Sequence, residues 1–449
     1  MRPPRRAAPG ALALVLTFVL SLAGLPRPSA AQDSINLIRD AEIENAIRSM
    51  SRPVFEAAGL GPNDVRIYLV NDDRLNAFTA GGLNLFLNTG FLMRTEHVGQ
   101  MLGVIAHEVG HIAGGHISRI GGAQRRAAAE MILATVLGAA AAVAGAPGLG
   151  TAIITGGQSI ATNNYLRFNR SQEQAADQAA MTYLAQAGIS GEGLIEFFKV
   201  LENQNVLQVS SQAPYLQTHP LTRDRILFVE DQVRRNPPGA DLPPVWAVMH
   251  ERMVAKLEAF LNDPRQVLQS YELRDGLAAR YARAIAHYRL PDLPKALAEI
   301  DQLIAEHPDD PYFHELKGQM LFENGRIAQA IPPYRESVRL APGEALLRIG
   351  LARALLESGD PALEAEAVGH LEEAVSRESR NPGAWRLLGI AQGRAGEEGA
   401  SALSLAESAL LTGKTEDARL YARRAEARIA PGDADWIHLQ DVLRALEQS

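Results

Sequence analysis

The sequence predicts two folded parts of different class: an α+β domain, mostly helical with a small sheet, and behind it an all-α solenoid of helical repeats. Three observations carry this reading. Short alternating apolar runs between residues 65 and 87 sit among longer segments of helical period. Asn236-Pro237-Pro238-Gly239 and Pro243-Pro244 then interrupt the chain as a linker would. Beyond them, Ala296 and Ala330 are 34 residues apart, as are Pro308 and Pro342, the period of the tetratricopeptide repeat.

A chain of 449 residues is long enough for two or three domains, each with its own core. Hydrophobic residues at 47% and charged residues at 21% describe a globular protein. The net charge is −8 with no basic run, which argues against a nucleic-acid partner. The chain has no cysteine. Disulfides, thiolate metal sites and cysteine nucleophiles are therefore excluded, and histidine and carboxylate remain as metal ligands.

At the N-terminus, Arg2, Arg5 and Arg6 precede an apolar run from Ala11 to Leu25 and the small residues Ser29-Ala30-Ala31. That is the layout of an export signal cleaved near Ala31. The apolar run is short for a spanning helix of about 20 residues. An exported chain without disulfides is expected in the periplasm. The expected division is thus residues 1–31 as signal peptide, 32–240 as the α+β domain, 241–276 as linking helices and 277–449 as repeats.

Within the first domain, Asp33 to Phe55 carries helical spacing, with Ile35, Leu37, Ile38, Ile43 and Ile47 on one side. Val65 to Val70 reads as a strand. Asn76 to Thr79 and Leu83 to Leu87 read as a hairpin bent at Gly81-Gly82, with Leu83 to Leu87 as a candidate edge for an added substrate strand. A helix is expected from Glu96 to Ile117 and another from Ser171. In the repeats, the unit from Pro311 to Ala345 has Gly318, Leu321, Gly325, Tyr334 and Pro342 in place, with Lys317 where leucine is usual. A later unit opens at Trp385-Arg386-Leu387-Leu388-Gly389, and the register slips near Ala367 and Ala374. About four helical pairs are expected.

The chemistry concentrates in His107-Glu108-Val109-Gly110-His111. Residues four apart on a helix share a face, so both imidazoles can aim at one ion. Glu108 beside them is placed to take a proton from water as general base, and a zinc ion lowers the pKa of water towards neutrality. One Zn2+ per chain is the expected cofactor. For a third ligand, His116 falls one residue short of the position that a continuous helix would present, although Gly114-Gly115 can bend the chain. Glu173 is the better candidate. Asp177, four residues on and on the same face, can accept the other N–H of a ligand histidine.

Between these motifs the stretch from Met131 to Leu166 has no charged residue. Two membrane crossings would need about 40 apolar residues. A hairpin packed over the cleft, or resting on a membrane surface through residues 131–155, fits better. Finally, Thr218-His219-Pro220-Leu221-Thr222-Arg223-Asp224-Arg225 is a compact polar motif. His219 can stabilise an oxyanion or take the fourth metal position and silence the site. The structural alternative is a helix capped by Thr218.

Taken together, Asn76-Ala77-Phe78 with Gly81-Gly82, the His107–His111 helix, Glu173 with Asp177, and His219-Pro220-Leu221-Thr222 resemble the gluzincin family of HtpX and the CAAX prenyl proteases. An exported catalytic domain ahead of tetratricopeptide repeats is similar to its periplasmic branch, the β-barrel assembly-enhancing proteases. The resemblance implies a zincin-like catalytic domain in which His107, His111 and Glu173 bind zinc and Glu108 is the base. It also implies an endopeptidase acting on misassembled outer-membrane polypeptides, with a repeat groove that holds a substrate segment or an assembly-machinery partner. The alternative is a repeat-based chaperone or adaptor with a latent metal site.

Overall fold

The computed structural model describes residues 36–143, 147–207, 214–236 and 241–448. The signal-peptide reading of residues 1–31 lies outside them, as do Ile35 and the linker residues 237–240. The architecture is a mostly helical domain with a small sheet, followed by an all-α repeat region.

The chain enters as a short strand β1 (Leu37–Ile38) rather than as helix. Helix α1 (Ala41–Ala57) starts only at Asp40, whose side chain accepts the Ile43 N–H as an N-cap. Ile43, Ile47, Met50 and Val54 form its buried stripe. Strands β2 (Arg66–Val70), β3 (Ala77–Thr79) and β4 (Asn84–Asn88) complete a sheet of order β1-β2-β4-β3. The expected β3–β4 hairpin is present, turning through Gly81 and Gly82 at positive φ. Ile67, Leu69, Leu85 and Leu87 are buried on one face. Tyr68, Phe86 and Phe78 stack across the other, with centroids 4.8 and 4.9 Å apart. Leu83 to Leu87 is not an edge: β4 pairs parallel with β2 and antiparallel with β3, so both its sides are used. The free edge beside it belongs to β3.

Helix α2 (Thr89–Arg94) leads to α3 (Val98–Ala113), the motif helix, capped by His97 Nδ1. It ends earlier than its spacing predicts, because Gly115 takes φ of 61° and breaks the helix before α4 (His116–Val143). The helix expected from Ser171 is the C-terminal part of a much longer α5 (Pro147–Gln186), which runs back along α4 as a helical hairpin. Then come α6 (Glu192–Leu207), a single turn α7 (Pro214–Thr218) and α8 (Arg223–Arg235).

Helix α9 (Pro244–Leu261) belongs to two cores. Met253 and Leu257 pack into that of the first domain, whereas Ala255 and Ala259 pack into that of the repeats. After α10 (Pro264–Tyr271), antiparallel pairs follow: α11 (Leu277–Arg289) with α12 (Leu293–Glu306), α13 (Pro311–Glu323) with α14 (Ile327–Leu340), and α15 (Ala345–Glu357) with α16 (Pro361–Arg377). Two more are α17 (Pro382–Arg394) with α18 (Glu398–Leu411), and α19 (Thr415–Glu426) with α20 (Trp436–Glu447). That is one pair more than expected. The slip in register has a simple source: α16 has 17 residues where α12 and α14 have 14. Gly318 faces the ring of Tyr334, where a Cβ would come within 2.8 Å. Lys317, in the leucine position, turns outward to Asp301 at 2.7 Å.

The N-terminal end of α1 lies against the repeats. Tyr281 Oη donates to Glu42 Oε2 at 2.8 Å, Lys256 Nζ reaches Asp40 at 2.7 Å and Glu42 at 3.1 Å, and Asn45 Nδ2 donates to Tyr312 Oη at 3.1 Å. Arg39 adds an ion pair with Glu378 at 2.8 Å. A buried carboxylate such as Glu42 is tolerable only with partners of this kind.

On the other side of α9, His250 is buried with its Nε2 2.8 Å from Thr95 Oγ1. Burial, with the nearby His97, lowers its pKa to about 4. A folded value below the unfolded one means stability that is complete above about pH 6.5 and lost as pH falls towards 4. Urea unfolding at pH 7 and pH 4.5 should show His250 contributing roughly 2–3 kcal/mol to that loss, and His250→Gln should shrink the difference by this amount.

Candidate metal centre

Two helices build the centre, and a glycine decides how close they come. A Cβ at Gly110 would lie 2.8 Å from the Ala176 carbonyl oxygen, so the backbone of α5 can press onto α3 only because position 110 has no side chain. That contact sets His107 and His111, one turn apart on α3, opposite Glu173 and Asp177, one turn apart on α5. The turn after α7 brings in His219, and α8 brings in Arg225. All six side chains are buried.

Four of them converge. His111 Nε2 is 3.1 Å from His107 Nε2, and Glu173 oxygens lie 3.4 Å from each. His219 Nδ1 is 3.4 Å from His107 Nε2 and 3.2 Å from Glu173 Oε1. Donor atoms around a tetrahedral zinc with bonds of about 2.0–2.1 Å stand roughly 3.3–3.4 Å apart. The spacing therefore fits such an ion, and His107, His111, Glu173 and His219 form a cluster that can hold a metal. Glu108 stands at its side. Both of its carboxylate oxygens are buried without a hydrogen bond, and His219 Nε2 lies 3.4 Å from Oε1.

Around the cluster the orientation of each ring is set from behind. Asp177 Oδ1 lies 2.9 Å from His107 Nδ1, and His116 Nδ1 lies 3.0 Å from His111 Nδ1. The break at Gly114-Gly115 folds His116 back onto the rear of His111 and keeps it out of the converging set. Arg225 then closes the frame: Nε and Nη2 donate to the two Asp177 oxygens at 2.6 and 2.8 Å, and Nη1 reaches Glu173 at 3.0 Å. Its remaining capacity goes to the Pro220 carbonyl at 3.0 Å, and its guanidinium lies over Phe198.

The electrostatics follow from burial and these partners. Burial would lift Asp177, but Arg225 and His107 hold it below the usual carboxylate range. Burial opposes the charge on His107, yet Asp177 and Glu173 push it up to about 9. His111 goes the other way: burial and the neighbouring His107 drive it well below the ordinary imidazole value. Glu108 is raised, chiefly by burial. The pocket thus favours a positive charge among the imidazoles and keeps one carboxyl short of donors.

Sequence spacing pointed to His107, Glu108, His111, Glu173, Asp177 and His219, and the fold brings all six together. The Thr218–Arg225 motif is built differently from the helix cap considered for it. Thr218 ends α7, and Thr222 caps α8 by accepting the Arg225 N–H. Arg225 enters the sequence pattern only as the end of that motif, and Tyr215 lies outside it. The Tyr215 ring packs 4.6 Å from that of His219, centroid to centroid. Its place four residues before His219 was the available signal.

Residues 38–233 match the model of peptidase family M48, and residues 265–311 and 281–345 match that of a tetratricopeptide repeat. The chain carries an M48 peptidase domain. The β-barrel assembly-enhancing proteases of Yersinia pestis and Escherichia coli (strain K12) are 26% identical over 425 residues and 24% identical over 429 residues. Each alignment covers 92% of this chain and 86% of the relative. The metalloprotease LoiP of E. coli (strain K12) is 27% identical over 177 residues, covering 38% of this chain and 63% of LoiP. The residues that could hold a metal lie between 107 and 219, all within the matched segment.

Arg225→Ala in the M48 domain should leave two buried carboxylates without their cation. Thermal and urea unfolding should show a loss of about 3–5 kcal/mol, far beyond what a surface arginine contributes.

Proposed function

We propose that this chain is a zinc-dependent metalloendopeptidase of the periplasm, held in a latent resting state by His219. The observation that carries the reading is the convergence of His107, His111, Glu173 and His219 beside a buried Glu108 that makes no hydrogen bond. In it, His107, His111 and Glu173 would hold the ion, Asp177 and His116 orient the two rings, and Arg225 balances the carboxylates. Zinc supplies Lewis acidity, which polarises a peptide carbonyl and acidifies water.

The chain's own groups then have distinct tasks. Glu108 accepts a proton from the attacking water, a role that suits a carboxyl raised by burial and free of competing donors. His219 stands where the fourth ligand belongs, and catalysis needs that corner open. Release of His219, 3.4 Å from Glu108, would open that corner, and the freed imidazole would be available to stabilise an oxyanion. The relationship to β-barrel assembly-enhancing proteases supports misassembled outer-membrane polypeptides as substrates and an assembly-machinery partner for the repeats. The domain division proposed is residues 32–240 for the peptidase, 241–276 for linking helices and 277–449 for the repeats, with export directed by residues 1–31.

The closed fourth corner also favours a second reading, in which the repeats act as a chaperone or adaptor and the metal site stays latent. Three variants separate the two. Purified mature chain should hold about one zinc, and Glu173→Ala should lose it; retention would move the third ligand elsewhere. Glu108→Gln should keep zinc and lower cleavage of an unfolded protein such as casein by at least 10²-fold. His219→Ala should keep zinc and raise that cleavage several-fold. Wild-type cleavage in Glu108→Gln would sink the mechanism. An inert His219→Ala variant whose parent still prevents aggregation would leave the adaptor.

A further inference from the structure

The helical hairpin of α4 and α5 is built inside out for a protein in water. Where the two arms meet, the contacts are small: a Cβ at Gly157 would overlap Ala134, and Ala123 and Ala161 are buried between the helices. The large apolar side chains point the other way. Ile132, Leu133, Val136, Leu137, Leu149 and Ile160 are each 53–65% exposed. A water-soluble hairpin buries its large residues in the seam. Small residues in the seam and large ones outside is how helices pack in lipid.

Two further features point the same way. Thr135 Oγ1 donates to the Met131 carbonyl and Thr155 Oγ1 to the Thr151 carbonyl, both at 2.9 Å, so these hydroxyls need no water. The second is charge. From Met131 to Leu166 the sequence has none, yet at the base of the arms stand Arg119, Arg125, Arg126, Arg167 and Arg170, with Glu130 the one acid between residues 116 and 172. Arg119, Arg126, Arg167 and Arg170 are exposed. In a chain of net charge −8, this is a local cationic collar around an uncharged, apolar end.

We propose that the hairpin is a one-leaflet membrane dock, its apolar flanks lying in the acyl region and its arginine collar on anionic phospholipid headgroups. The dimensions agree. From Met131 to the end of α4 is about 20 Å of helix, against roughly 15 Å for the hydrocarbon half of a bilayer. Among the described residues, no helix is long and apolar enough to cross a membrane. His116 opens α4, so about 22 Å of helix separates the metal centre from the first uncharged turn. Docking in this way holds the peptidase cleft a fixed distance above the lipid surface, within reach of polypeptide that emerges from it.

The test uses the full mature chain and needs no enzymatic activity. Flotation with vesicles of phosphatidylglycerol and phosphatidylethanolamine should carry the wild type upward, and vesicles of phosphatidylcholine alone should carry much less. Leu133→Asp with Leu137→Asp should stay at the bottom of the gradient with unchanged circular dichroism. Arg126→Gln with Arg167→Gln should bind the anionic vesicles on the order of tenfold more weakly and the neutral ones as before. No flotation of the wild type overturns the proposal. So does a concentration-dependent dimer, broken by the aspartate pair, that does not bind vesicles: the apolar face would then belong to a second copy.

Discussion

The close approach of α3 and α5 at Gly110 is the constraint on which the rest of the first domain depends. A helix–helix contact with no side chain between the backbones brings two pairs of residues, each spaced by one turn, face to face. Two imidazoles then meet a carboxylate at 3.4 Å, and a second carboxylate fixes one ring from behind. So many like-polarity groups cannot stay buried without a cation. Arg225 supplies one and the metal would supply the other. The turn that carries His219 follows from the same need, because Arg225 and His219 arrive on one short segment anchored by Thr222 and Pro220.

Under the proposed reading, that arrangement would leave the centre chemically quiet at rest. A tetrahedral ion with four protein donors has no corner for water or substrate. Opening would then require that the segment bearing His219 move, since the other three donors, His107, His111 and Glu173, sit on α3 and α5. Tyr215 and Phe197, packed edge to face at 5.5 Å, form the wall that this segment rests on. Three of the candidate donors thus sit on helices and the fourth on a turn, the usual division between rigid scaffold and the segments that join it.

The repeats are not a separate appendage. The N-terminal end of α1 contributes Arg39, Asp40, Glu42 and Asn45 to ion pairs and hydrogen bonds with α9, α11, α13 and the loop after α16. Helix α9 shares its faces between both cores. Helix α1 thus touches both the repeats and the motif helix α3.

What can be read along the chain is what short-range physics sets. The four-residue spacings of His107 with His111 and of Glu173 with Asp177 are local, as are the glycine bend at Gly81-Gly82 and the repeat period, and each appears where its period puts it. The misreadings have one kind of cause. Leu83 to Leu87 was expected at an edge because alternation marks a strand but not its neighbours; the parallel partner β2 lies before the turn. The helix expected from Ser171 starts earlier, at Pro147, because Ala gives a helix no apolar face and Gly disfavours one, so the stretch shows no helical period. His116, placed off the ligand face, sits behind His111 because of a backbone break at Gly115 that composition allows but does not require. Arg225 between two carboxylates, His219 at the fourth corner and the outward-facing hairpin were decided by tertiary structure alone. The first two depend on elements far apart in sequence meeting at distances of about 3 Å and the third on which faces of neighbouring helices meet, and no periodicity along the chain carries that information.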